Sequence, residues 1–294
     1  MTIAACYLSP EGVVLGTDST STIVGPDGES SYLDHAQKLF AVGDPGTTIG
    51  LMTWGLGQIG DVSHRTIAAM IGDELTRAGF SNMRAVADFA AELVWVHYAD
   101  AYSARCTRAK LLRSKHKTGN LSTDERSELR LLGQLAGGYC IAGRMPGGRA
   151  CTGFAIDWAP WLDAPALRDL RLEQPYHWGV PEFALRLIYG WDHRAVDTIM
   201  ASGKWTGTPE EFLDLLAGSV VVWPRRLPIR EAADWIHTLI HTTIRGTKFA
   251  QRAHACGGPI EIAAISSDRP FRWVCHKRLD SALVTAEESM LWRI

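Results

Sequence analysis

The chain has 294 residues, 46% apolar and 21% charged, a composition that can bury an extensive core and is not that of a disordered segment. Thirty Lys and Arg against 32 Asp and Glu leave a formal charge of −2, so the net charge gives no general attraction to nucleic acid or to an anionic membrane. The six cysteines contain no C-x-x-C pair, which speaks against a zinc ribbon or a disulfide-stapled small fold.

Residues 2–8 alternate, with Ile3, Ala5 and Tyr7 on one face and Thr2, Ala4 and Cys6 on the other. Ser9-Pro10-Glu11-Gly12 is a turn and 13–18 a second strand, so 2–18 reads as a hairpin. Beyond a polar loop around Gly25-Pro26-Asp27-Gly28, residues 37–42 and 47–53 read as two more strands, separated by Gly43-Asp44-Pro45-Gly46. Four short strands in succession predict an antiparallel sheet rather than βαβ repeats. The bend Trp54-Gly55-Leu56-Gly57-Gln58-Ile59-Gly60 then leads into helical-period segments at about 61–78 and 83–103. Residues 105–117 carry Arg105, Arg108, Lys110, Arg113, Lys115 and Lys117, and Ser122-Thr123-Asp124-Glu125 has the capping-box spacing that starts a short polar helix. A hairpin over 138–157 turns at Pro146-Gly147-Gly148. Helices follow at 181–189, 192–201, 209–217 and 229 to about 253, and a last hairpin pairs 260–266 with 271–276. This order predicts a single α+β domain over 1–294, with insertions at about 104–135 and 190–228. No basic region precedes an apolar run at the N-terminus, and no stretch of about 18 uncharged apolar residues occurs, so a reduced, soluble, cytoplasmic protein without a membrane partner is expected. Eleven tryptophans, including Trp158, Trp161, Trp178, Trp191, Trp205 and Trp223, suit core and subunit-interface packing and keep oligomerisation open.

The residues that suggest chemistry gather near the N-terminus. Methionine is usually removed before a residue as small as threonine, and loss of Met1 gives Thr2 a free α-amino group beside its hydroxyl. An unperturbed α-amine titrates near about pH 8, so it can act as general base for a hydroxyl that is a weak nucleophile alone. Position alone also allows the plainer reading that Thr2 merely begins a strand. A hairpin brings Asp18 back beside residue 2, and Lys38 opens the third strand. A buried ammonium near the Thr2 hydroxyl favours its deprotonation, and Asp18 would hold that ammonium in place and charged. The backbone N–H groups of Gly55 and Gly57, ahead of a helix, are candidate oxyanion donors at residues that tolerate close approach.

Four segments carry a family resemblance: Thr2-Ile3-Ala4-Ala5, Gly12-Val13-Val14-Leu15-Gly16-Thr17-Asp18-Ser19, Gln37-Lys38-Leu39-Phe40, and Ile49-Gly50-Leu51-Met52-Thr53-Trp54-Gly55. In order and approximate spacing the chain here resembles the β-type proteasome subunits and their bacterial relatives of HslV and Anbu type, within the N-terminal nucleophile (Ntn) hydrolases. The resemblance covers residues 1–60 and, by element order, extends more loosely to about 276. It implies a four-layer αββα sandwich of two antiparallel sheets flanked by helices, and a homo-oligomeric ring. It also implies hydrolysis of peptide or unfolded-protein substrates, without cofactor or metal. Carried over, it makes Thr2 the nucleophile, Asp18 and Lys38 its activating pair and Gly55 the oxyanion donor. Ser21, Ala36 and Thr53 then lie near the pocket for the substrate side chain, and an ATPase or unfoldase partner is left open. The chain departs from the family in a longer loop between Asp18 and Lys38. It also has His177-Trp178-Gly179-Val180 in place of a serine-bearing glycine turn. Finally, Ala253-His254-Ala255-Cys256-Gly257 lacks the Asp and Ser of the later motif, with His254 and Cys256 as the available substitutes. These departures support an alternative, a catalytically silent ring subunit, and a third reading changes the substrate to a small amide.

Other signals have plainer explanations. His237 and His241 share a helix face, but the Glu of H-E-x-x-H and a third ligand are missing, so structural histidines are expected. Cys6, on a strand with apolar neighbours, reads as a packed thiol. The basic run 105–117 has no interleaved aromatics to stack bases and reads as a solvated face, with no nucleic-acid partner. Gly55-x-Gly57-x-x-Gly60 spells a dinucleotide fingerprint but lacks a parallel crossover around it.

Overall fold

The structure, a computed structural model, describes residues 2–24, 30–180, 182–218, 225–250 and 256–277. The first half runs β1 (Ile3–Ser9), β2 (Gly12–Thr17), β3 (Ser21–Val24), β4 (Ser30–Leu33), β5 (Leu39–Ala41), β6 (Ile49–Gly55), α1 (His64–Ala78), α2 (Met83–Lys117) and α3 (Thr123–Leu132). The second half runs β7 (Gly137–Gly143), β8 (Thr152–Trp158), β9 (Ala166–Asp169), β10 (Pro175–Gly179), α4 (Glu182–Tyr189), α5 (His193–Ala201), α6 (Pro209–Ala217), α7 (Ile229–Phe249), β11 (Glu261–Ser266) and β12 (Arg272–Cys275). One five-stranded sheet has the order β10-β1-β2-β11-β12, a second β5-β6-β7-β8-β9, and β3-β4 form a separate ribbon. Every pairing between these strands is antiparallel, which removes the parallel crossover that a dinucleotide fingerprint at Gly55–Gly60 would need.

Strand alternation explains the layering. Ala4, Cys6 and Leu8 of β1 face Met52, Cys140 and Ala155 of the second sheet and form the central apolar layer. Ile3, Ala5 and Tyr7 point the other way, against Ala184 and Ile188 of α4 and Ile236, Leu239 and Ile240 of α7. The outer face of the second sheet, with Leu51, Tyr139, Ile141 and Ile156, packs on Ile67 and Ile71 of α1 and Val86, Ala90 and Val94 of α2. The molecule is therefore an α+β sandwich with four layers, αββα. β1 and β2 are buried on both faces, which is why they read as nearly continuous apolar runs. Each aliphatic side chain so enclosed contributes roughly 1.5–3 kcal/mol.

The four N-terminal strands do not form one sheet as the sequence predicts. β1 and β2 belong to the first sheet, β5 and β6 to the second, and the chain crosses between them over residues 18–38. Period reports which faces are buried, not which sheet a strand joins. β3, β4, β9 and β10 are short and mixed in polarity, and the sequence pattern does not mark them. The loop at 25–29 and Trp223 lie outside the described residues. Helix α2 kinks at Tyr102, beside the expected end near 103, and beyond that break a helix continues through the basic run; Arg, Lys, Leu and Ala are good helix formers. Its cations meet partners: Arg108 with Glu128, Lys110 with Asp163, Lys115 with Glu125, and Arg113 over the Trp161 ring. The capping box at Ser122 is present, with Ser122 and Glu125 bonding each other's backbone N–H. Among the described residues no helix is long and apolar enough to cross a membrane.

Candidate active site

The first sheet fixes residue 2 through its backbone. Thr2 is nearly fully buried, and its carbonyl accepts the Val180 N–H at 2.9 Å. A side chain at Gly179 would overlap that carbonyl, and Gly179 has φ +94°, so glycine is required where β10 passes Thr2. On the other side the hairpin register pairs Ala4 with Thr17, which sets Asp18 opposite Ile3. Asp18 N–H donates to the Ile3 carbonyl at 3.1 Å, and Ile3 N–H donates to Asp18 Oδ1 at 3.2 Å.

Asp18 is fully buried and accepts four donors: Ile3 N–H and Lys38 Nζ on Oδ1, Thr20 N–H and Gly257 N–H on Oδ2. These match the roughly four lone-pair sites of a carboxylate. Lys38 Nζ lies 2.7 Å from Asp18 Oδ1 and 2.6 Å from the Thr20 carbonyl. Among the described residues two of its three N–H donors are thereby engaged, and Lys38 also borders a cavity. That cavity, of about 70 Å³, is lined by Thr2, Lys38 and Gly55 and also by Ser21, Ala36 and Thr53. Gly57, the other candidate oxyanion donor, lines it too, so seven sequence-predicted residues share one cavity, and the eighth, Asp18, lies behind Lys38.

Strand direction aims the Gly55 amide. Thr53 N–H donates to the Lys38 carbonyl at 2.9 Å. Two residues on, the Gly55 N–H leaves the strand on the same edge, on the side of Lys38. Gly55 has φ +84°, a left-handed value that ends β6 and opens the bend. Trp54 also borders the cavity and stacks on Trp178 of β10 at 4.5 Å and 12°, linking the two sheets beside it.

Two features were not evident from the sequence. His64, buried at the start of α1, lines the cavity and bonds Tyr139 Oη and the Leu56 carbonyl, each at 2.7 Å. Lys277 donates to the Ala36 carbonyl at 2.9 Å, Ser19 Oγ at 3.3 Å and Glu261 Oε2 at 3.2 Å. Burial lowers its pKa. Glu261 is fully buried and also meets His276 Nδ1 at 2.7 Å. This second ionic cluster clamps the segments at 19 and 36 that flank the Asp18–Lys38 pair. No local spacing announces it, because Lys277 and Ser19 are distant in sequence.

Residues beyond the cavity have other surroundings. His177 pairs with Ala5, whose side chain faces the helical layer, and burial foremost pushes its imidazole down to about 4, helped by His193. The Cys256 thiol is buried in that same layer and pushed up by burial first and then by Asp18. It is therefore held as a thiol rather than a thiolate. His254 and Met1 lie outside the described residues. Cys6 is buried in the central layer beside Cys140, whose thiol burial and Cys6 both push up. The His237 and His241 rings stack at 5.8 Å, and Arg245 Nε donates to His241 Nε2 at 3.3 Å. A wider cleft of about 540 Å³ lies between α7 and β12, with Cys275, His237 and Asp234 among its lining. Burial foremost, and then Glu261, pushes the Cys275 thiol up, the opposite of what a nucleophilic cysteine needs.

No protein-family model matches the chain, and no curated protein matches it. Among solved structures, the Anbu (Gly-1) mutant from Hyphomicrobium sp. strain MC1 is similar at a TM-score of 0.48 and 13% identity, over 100% of this chain and 96% of that one. At that distance the likeness assigns no role to any residue.

Proposed function

We propose that the protein is a threonine-type hydrolase of proteasome-like, Ntn character, cleaving peptide bonds through Thr2 after removal of Met1. The observation that carries this reading is the convergence on one cavity of Thr2, the Asp18-paired Lys38 and the Gly55 amide. Thr2 Oγ attacks the scissile carbonyl while its own α-amine, through a water, takes the hydroxyl proton. The Lys38 ammonium favours the developing alkoxide, and the Gly55 N–H receives the oxyanion of the tetrahedral intermediate. Collapse expels the amine product, which takes up the transferred proton, and leaves an ester on Thr2. A water activated by the α-amine then hydrolyses that ester. Apart from Lys38, the lining consists of hydroxyl, amide, imidazole and apolar groups with no carboxylate among the described residues, which suits an uncharged acyl side chain. The proposal includes assembly of like subunits into a ring, cytoplasmic location and no resident cofactor.

The test is covalent capture. A β-lactone added to the native protein is expected to increase its intact mass by one acyl group on Thr2, and peptide substrates are expected to turn over. Thr2→Ala should abolish both while leaving the native mass of the assembly unchanged. Labelling that survives Thr2→Ala, or turnover by protein that retains Met1, would refute the mechanism.

One observation favours a second reading, a catalytically silent ring subunit: β10 and the Cys256-Gly257 segment bring no hydroxyl to Thr2, and Gly257 contributes only an amide to Asp18. A ring with no capture at Thr2 is the outcome that reading requires. Turnover of acyl-amides but not peptides would move the substrate to a small amide.

A further inference from the structure

We propose that His64 is a positioning residue that holds the Gly57 N–H as a second oxyanion donor beside that of Gly55. The inference rests on the hydrolase reading for its chemistry, whereas its geometry stands alone. A carbonyl can only accept, so the bond between His64 and the Leu56 oxygen puts the ring proton on Nε2. Nδ1 is then the acceptor for the Tyr139 hydroxyl. Tyr139 is fully buried, and burial pushes its pKa up, so it keeps the proton it donates. Burial also pushes the His64 imidazole down, which keeps it neutral with both nitrogens occupied. An edge-on contact with the Tyr139 ring, at 83° and 5.4 Å, fixes the imidazole plane.

The Leu56 carbonyl belongs to the same planar, trans peptide unit as the Gly57 N–H, and the two point in opposite directions. Holding the oxygen toward His64 therefore fixes the amide direction away from it. Gly57 lines the Thr2 cavity, and its N–H meets no acceptor among the described residues. The rest of the bend is anchored elsewhere, by the Ile59–Val62 bridge and by Gly60 N–H donating to Tyr102 Oη at 3.0 Å. The peptide plane after Leu56 is the part of the bend that His64 controls, and its N–H, without an acceptor among the described residues, belongs to a residue that borders the cavity.

The test compares His64→Phe, which keeps a ring but loses both bonds, with His64→Gln, whose side-chain amide can still donate to the Leu56 carbonyl. Two readouts are taken: the rate constant and half-saturation for β-lactone acylation of Thr2, and amide hydrogen exchange of the peptide spanning 54–58. Losing an oxyanion donor slows acylation by roughly 100–1000-fold, so misaiming one is expected to cost about 10–100-fold. The rate constant should fall in His64→Phe with half-saturation unchanged, and return to within about threefold of wild type in His64→Gln. Exchange at 54–58 should accelerate in His64→Phe and stay at the wild-type rate in His64→Gln. A wild-type acylation rate in His64→Phe, or His64→Gln as slow as His64→Phe, overturns the proposal. If the wild-type protein itself is not acylated at Thr2, the hydrolase reading fails. The exchange data then decide the positioning role alone, and unchanged exchange in His64→Phe overturns it.

Discussion

The cavity at Thr2 and the cleft between α7 and β12 differ in size and in chemistry. The cleft is several times larger, about 540 Å³ against about 70 Å³, and has a cysteine, a histidine and an aspartate along its lining. Yet burial and Glu261 push the Cys275 thiol up, while the Thr2 cavity has a lysine held by a fully buried carboxylate and backbone amides at its edge. Enclosure by rigid strands and preorganised donors matters for catalysis more than room does, because such donors need no reorganisation as charge develops.

The sharpest way to break this comparison is at the ion pair. Lys38→Met should reduce acylation of Thr2 by at least about 100-fold and destabilise the fold by roughly 3–5 kcal/mol, because it leaves a buried carboxylate without its counter-ion. Urea denaturation checks the second effect, and the double variant with Asp18→Asn should lose less than the sum of the single variants. Gly179→Ala comes next. The added methyl group would meet the Thr2 carbonyl at a left-handed φ, so a loss of about 2–4 kcal/mol in denaturant titration is expected, together with loss of capture.

A smaller effect concerns pH. His177 is pushed down to about 4 from its ordinary 6.5, so between those values the unfolded chain binds a proton that the folded chain does not. Stability should therefore fall as pH drops from about 6.5 to 4, by up to roughly 3 kcal/mol from this group. Denaturant midpoints at the two ends of that window measure it, and His177→Phe should flatten this part of the profile. The smallest effect belongs to the cleft: Cys275→Ser should leave acylation within about twofold, since a raised thiol takes no part in it. A large loss there would move the chemistry to the cleft.

The sequence by itself determined which residues are strands and helices over most of the chain, because periodic burial is written locally. The β1–β2 hairpin, the capped helix at Ser122 and the last hairpin all follow from spacing and turn residues. It also singled out Thr2, Asp18, Lys38 and Gly55, since each stands at the end of a recognisable strand or bend. Tertiary structure alone decided that the first four predicted strands divide between two sheets, and that a helix resumes beyond the Tyr102 kink to set the basic run against Glu128 and Asp163. It alone brought His64 to the Leu56 carbonyl, Lys277 to Ser19 and Gly257 to Asp18. These contacts join segments that are far apart in sequence or separated by an irregular bend. Their energies depend on distance and burial in the folded chain, and neither leaves a periodic trace in the order of amino acids.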